Sequence, residues 1–108
     1  MSDRQAHIVM MTTVSSETEA DKLAGILVTA KAAACVQILP IKSCYVWDGK
    51  MANDAEYLLL IKTRADLYET AADLIKRNHS YEIPEIISLP IVTGSFSYLN
   101  WIDTVTSG

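Results

Sequence analysis

"CVQILPIKSCYVWDGKMANDAEYLLLIKT", residues 35 to 63, consists of two apolar runs on either side of Asp48-Gly49. Asp-Gly tolerates positive φ at both central positions of a type I′ turn, whose twist matches that of two paired strands. The segment therefore predicts a hairpin with arms 35–47 and 50–63, in which Cys35 faces Lys62 and Cys44 faces Asn53. Arms of about thirteen residues exceed the common strand of roughly five or six. A hairpin of that length overruns a small domain and must rest on something else.

Outward from the hairpin, strands and helices alternate. "HIVMMTTV" (7 to 14) is an apolar, β-branched run that opens the sheet. Ser16 with Glu19 three positions on forms a capping box, and Ala20, Leu23, Ala24, Leu27 and Val28 follow at helical spacing, predicting a helix to about Ala33. Beyond Thr63, with Asp66 three positions later, Leu67, Ala71, Leu74 and Ile75 mark a second helix that ends near Asn78. "EIISLPIV" (85 to 92) reads as the last strand, at an edge or a bulge because Pro90 removes a ladder donor. Gly94 breaks the chain, and "YLNWIDTV" (98 to 105) reads as a short helix with Tyr98, Ile102 and Val105 on one side. The fold class is α+β: the order β-α-β-β-α-β plus a C-terminal helix is the ferredoxin-like split β-α-β, an antiparallel sheet of four strands backed by two helices.

Composition sets the outer limits. With 108 residues, half of them apolar, the chain suits a single domain, 1–108, around one core. Net charge is −4, nine Lys+Arg against thirteen Asp+Glu, with no basic run, which argues against nucleic acid as a partner. No apolar run approaches the roughly 20 residues of a membrane span. The N-terminus has no signal-peptide pattern. Cys35 and Cys44 fall on opposite faces of one strand and do not face each other across the hairpin, so no disulfide is expected within the chain. Two such thiols suit a reducing cytoplasm. "LLLI" (58 to 61) is apolar on both faces of its strand. Each such side chain is worth about 1.5–3 kcal/mol when buried, so the face that the helices leave open predicts an oligomer.

Five blocks, in order, resemble the CutA family of divalent-cation tolerance proteins: "AACVQILP", "SCYVWDGK", "EYLLLIKT", "HSYEIPEI" and "GSFSYLNWI". The likeness spans nearly the whole chain. It departs at Ser80, where the family has Pro after the histidine, and at Gln37, where the family commonly has Asn. The resemblance implies a homotrimer similar to the PII signalling proteins, with long hairpins wrapping neighbouring subunits, and a link to tolerance of copper and other divalent cations.

"HSYEIPEI" (79 to 86) places one imidazole and two carboxylates within seven positions. As metal ligands the candidates are, in order, His79, Glu85, Cys35 and Glu82, at or between subunits. Imidazole, carboxylate and thiolate together suit copper or zinc, although no paired spacing makes a metal a required cofactor. The competing readings are that His79 caps the second helix, that Cys35 is a small buried hydrophobe, and that Glu85 pairs with a lysine such as Lys62. Cys44 reads as packing and His7 as an exposed terminal histidine. Of Met10 and Met11, one points to the core. Tyr45, Trp47, Lys50, Lys62 and Tyr81 are candidates for an inter-subunit cleft. That cleft gives the alternative function, a PII-like sensor or adaptor for an anionic small molecule, which the lack of a Gly-rich phosphate loop weakens. Arg4, Arg64 and Arg77 are scattered, so no oxyanion clamp is built and an enzyme is not expected. The sequence names no protein partner.

Overall fold

A computed structural model describes residues 6–108; Arg4 lies outside the described residues. The elements are β1 (His7–Val14), α1 (Glu17–Thr29), β2 (Cys35–Trp47), β3 (Lys50–Arg64), a 3-10 turn (Ala65–Leu67), α2 (Tyr68–Arg77), β4 (Ile87–Pro90) and α3 (Phe96–Thr106). They form one antiparallel sheet in the order β2-β3-β1-β4, the ferredoxin-like arrangement. The hairpin has the predicted register throughout, from Cys35 opposite Lys62 to Trp47 opposite Lys50. Asp48 at φ 55° and Gly49 at φ 76° are both left-handed, as a type I′ turn requires.

Strand parity divides the sheet into two faces. Met10, Leu59 and Ile61 are fully buried, and with Leu23, Leu27, Ala71 and Ile75 they form the core between the sheet, α1 and α2. The opposite face carries rows of directly facing residues: Leu39 beside Leu58, and Leu60 beside Met11, which meets Ile87. Here burial is incomplete. Leu39, Ile87 and Leu89 are exposed, while Met11, Leu58 and Leu60 are half-buried. α3 packs against β3, buries Ile102 and covers only part of this face.

Four boundaries differ from the sequence reading, each for a local reason. α1 stops at Thr29 rather than near Ala33, because Lys31 turns left-handed at φ 60°. The amides of Lys31 and Ala32 then bond back to the carbonyls of Val28 and Leu27, both at 3.0 Å, the pattern of a Schellman stop. α2 begins after the 3-10 turn, since Thr63 does not cap it: its hydroxyl donates to the Ala32 carbonyl at 2.7 Å inside the core. β4 spans four residues at the sheet edge instead of eight. Continuing its register would set Glu85 opposite Thr13, but the Thr13 carbonyl already accepts from His79 Nε2 at 2.7 Å. α3 starts earlier, at Phe96, because Ser95 caps it, its Oγ accepting from the Tyr98 amide. Gly94 eases the approach to α3: a Cβ there would stand 3.1 Å from the Leu99 side chain, which would have to shift by a few tenths of an ångström.

His7 is not an exposed terminal residue. Its side chain is only 14% exposed, and Nε2 lies 2.8 Å from Asp103 Oδ1 on α3. The pairing holds the C-terminal helix to the first strand.

Candidate functional site: an acidic cleft beside the hairpin

The partly open face of the sheet continues past Leu58 toward the hairpin tip and there becomes a cleft of about 720 Å³. Its floor is strand: Thr13 of β1, Ser43, Tyr45 and Trp47 of β2, and Asp54 and Glu56 of β3 share this face by parity. The far wall is the irregular segment between α2 and β4, with Tyr81, Glu82, Ile83 and Glu85 on the lining. Lys42 and Cys44 complete it. Four carboxylates therefore stand against a single ammonium.

Two phenol–carboxylate pairs organise the cleft, one joining wall to floor and one within the floor. Tyr81 donates its hydroxyl to Glu56 Oε2 at 2.6 Å, and Tyr45 donates to Asp54. Both phenols are held above their ordinary value. For Tyr81 the main cause is burial, then the hydrogen bond to Glu56 and the negative charges of Glu56 and Asp54. For Tyr45 it is the bond to Asp54, then burial and the same two charges. Glu56 itself is 7% exposed.

His79 does not line the cleft; it builds the corner behind it. Nε2 donates to the Thr13 carbonyl, and Nδ1 accepts from the Tyr81 amide at 3.0 Å, so the ring is the Nε2–H tautomer with both nitrogens engaged. Its ring also packs on that of Tyr81, with centroids 4.8 Å apart. The cap of α2 is supplied instead by Asn78, whose Nδ2 donates to the Leu74 carbonyl at 2.8 Å. Ser80 is fixed from α1: its amide and its hydroxyl donate to the two carboxylate oxygens of Glu19, each at 3.1 Å. Only half of the capping box forms, for the Glu19 amide bonds to Ser16 Oγ while the Glu19 side chain turns to Ser15 and Ser80.

The sequence candidates thus separate. Tyr45, Trp47, Tyr81, Glu82 and Glu85 come together on the cleft. Lys50 faces Trp47 across the turn without lining it, and Lys62 sits at the other end of the hairpin, opposite Cys35. Lys62 and Glu85 form no ion pair among the described residues. Cys35 is half-buried and lies nine positions from Cys44 along β2, about 30 Å at a strand's rise. Cys44, read as packing, is exposed and lines the cleft. Among the described residues no three His, Cys, Asp or Glu side chains of one chain stand close enough to share an ion. Lys42, Asp54 and Glu56 were not singled out in the sequence. The signal that finds Asp54 and Glu56 is parity: once the hairpin register is known, both must share a face with Tyr45.

An all-antiparallel β-α-β-β-α-β sheet, with an overlong hairpin and an acidic cleft toward its tip, defines a small ferredoxin-like protein. The chain belongs to the CutA1 divalent ion tolerance protein family, whose model matches residues 8–105. It is 45% identical over 100 residues to "Protein CutA 1, chloroplastic" of Oryza sativa subsp. japonica, covering 92% of this chain and 56% of that one. It is 39% identical over 97 residues to "Divalent-cation tolerance protein CutA" of Archaeoglobus fulgidus, covering 90% and 95%. The crystal structure of CutA1 from Oryza sativa superposes with a TM-score of 0.92 at 43% identity, covering 98% of each chain. The chain spans about half the length of the curated plant relatives it matches.

Proposed function

We propose that the protein is a homotrimeric, cytoplasmic divalent-cation binder, taking copper or another divalent ion such as zinc at or between subunits as part of the cell's response to metal. The observation that carries this reading is the charge of the cleft, with Asp54, Glu56, Glu82 and Glu85 against Lys42. Because one chain gathers no three-donor set among the described residues, the reading needs further donors from a neighbouring subunit. The open row of Leu39, Leu58, Leu60, Met11 and Ile87 is the surface on which such a neighbour would rest. Within the cleft, Glu82, Glu85 and the exposed Cys44 are the donors free to engage an ion, whereas His79 acts by holding the corner that aims them. The metal is a ligand in this reading, not a requirement for folding. Two thiols without a mutual partner support a reducing compartment. The family is named for tolerance, not for a reaction, and the reading is of a binding protein rather than an enzyme. The PII-like alternative, an anionic ligand near Lys50, loses support because Lys50 is not on the cleft and the lining is acidic.

Native mass spectrometry of chelated protein, alone and with one to three equivalents of Cu(II), Cu(I) or Zn(II), tests this reading. A trimer that takes up metal in multiples of three, and loses it in Glu82→Gln with Glu85→Gln, is expected. A monomer, or metal adducts indifferent to both substitutions, overturns it.

A further inference from the structure

The cleft has a second character that metal binding does not use. Tyr45, Trp47, Tyr81 and Ile83 give it an aromatic and apolar wall, and Trp47 and Ile83 are 56% and 73% exposed. Below them lies Glu56, nine-tenths buried, with Oε2 on the Tyr81 hydroxyl. No hydrogen bond to Oε1 is present among the described residues. Glu56 is nevertheless one of the residues that line the cleft, and its Oε1 is not one of the sealed atoms without a partner among the described residues. The phenols of Tyr45 and Tyr81 both feel the negative charges of Asp54 and Glu56, the same potential that would draw in a cation.

A metal ion needs several oxygen, nitrogen or sulfur donors at about 2.0–2.6 Å and has no use for an aromatic wall. The volume, about 720 Å³, is that of a small-molecule site. A recessed carboxylate under aromatic faces suits an ammonium group carried on an apolar body: the charge takes the carboxylate, and the ring quadrupoles attract the cation and cover its body. We infer that the cleft binds a small organic ammonium ion, its charged head on Glu56 and its apolar body against Trp47 and Tyr45. The inference shares with the metal reading the cleft and its negative potential, but not the groups that hold the ligand.

The test is a two-dimensional NMR titration of the 15N-labelled full chain, in the presence of a chelator, with 2-phenylethylammonium, 2-phenylethanol or phenylacetate. The three probes have nearly the same body and a positive, neutral or negative head. Saturable shifts confined to residues 42–47, 54–56 and 81–85 are expected with the ammonium alone, falling with added salt. Trp47→Leu should weaken binding about threefold to tenfold, and Glu56→Gln should weaken it more. Since Glu56→Gln disturbs a buried hydrogen bond, the exposed Trp47→Leu keeps the test decisive if the first variant fails to fold. No saturation in the millimolar range, an equal response to the alcohol, or indifference to Trp47→Leu overturns the inference. A parallel Zn(II) titration without chelator separates the two readings. Zinc binding without ammonium binding removes this one alone, and the reverse removes the metal reading alone.

Discussion

Ser80 shows how a single side chain can replace a backbone constraint. Where the family pattern has proline, this chain has a residue with an amide and a hydroxyl to give, and both go to Glu19. Burial raises the Glu19 carboxyl, but the hydrogen bonds from Ser80 and Ser15 outweigh it and leave the group below its usual value. A carboxyl lowered in the fold contributes stability that is present above its unfolded value of 4.5 and is lost as pH falls through the folded one. The stability gap between the wild type and Glu19→Ala, from urea denaturation at several pH values, should therefore be widest near neutrality and narrow below about pH 4.5. Ser80→Pro should cost about 0.5–1.5 kcal/mol in the wild type, because lost charge-assisted bonds exceed the gain in rigidity, and less in the Glu19→Ala background. Tyr81 works at the other end of the scale. Its phenol is raised in the fold, so its contribution is present below its ordinary value near 10 and is lost as pH rises through the folded one. Alkaline unfolding followed by circular dichroism should lose part of its steepness in Tyr81→Phe. None of these pairings was legible in the sequence, since Ser80 and Glu19 lie 61 residues apart, Tyr81 and Glu56 25, and His7 and Asp103 96. Local pattern carries no information on partners at such separations.

At the scale of elements the sequence was informative wherever a period or a turn dictates geometry. Asp48-Gly49 fixed the hairpin register, and the register in turn fixed which side chains share the cleft. Helix and strand ends were less legible, because each depends on a competing hydrogen bond. α1 ends on a left-handed lysine, a conformation that costs an L-residue about 1–2 kcal/mol and glycine far less. Lys31→Gly should accordingly raise stability by about 0.5–1 kcal/mol, read as a shift of the urea midpoint at constant slope. α3 illustrates the converse. Its Ser95 cap precedes an aromatic residue that is 84% exposed, so the apolar pattern pointed to a later start than the cap allows. Ser95→Ala should cost about 0.5–2 kcal/mol. Hydrogen exchange should then show α3 opening ahead of the sheet, as the helix is otherwise held by Ile102 and the His7–Asp103 contact.

For the molecule as a whole, the two faces of the sheet have different roles. One is sealed by α1 and α2; the other is left half-covered, and at 45 × 25 × 21 Å the hairpin stretches the molecule well beyond a sphere. "LLLI" already announced this division, because a strand apolar on both sides cannot be satisfied by helices on one. Leu60→Asp places a charge at the centre of the half-covered face without touching the core. If the protein assembles as proposed, sedimentation velocity should show a trimer for the wild type and a monomer for this variant, with the circular dichroism spectrum retained; a variant mass that stays trimeric would remove the assembly proposed on this face. The two edges of the sheet also differ. β4 is four residues long and ends on a proline, and His79 occupies the Thr13 carbonyl that would have extended its ladder. β2 runs thirteen residues with its outer row of amides and carbonyls unpaired by any strand among the described residues. A sheet with one blunt edge and one adhesive edge can accept a neighbouring strand on one side without handing the template onward, which favours a finite assembly over an amyloid-like fibre.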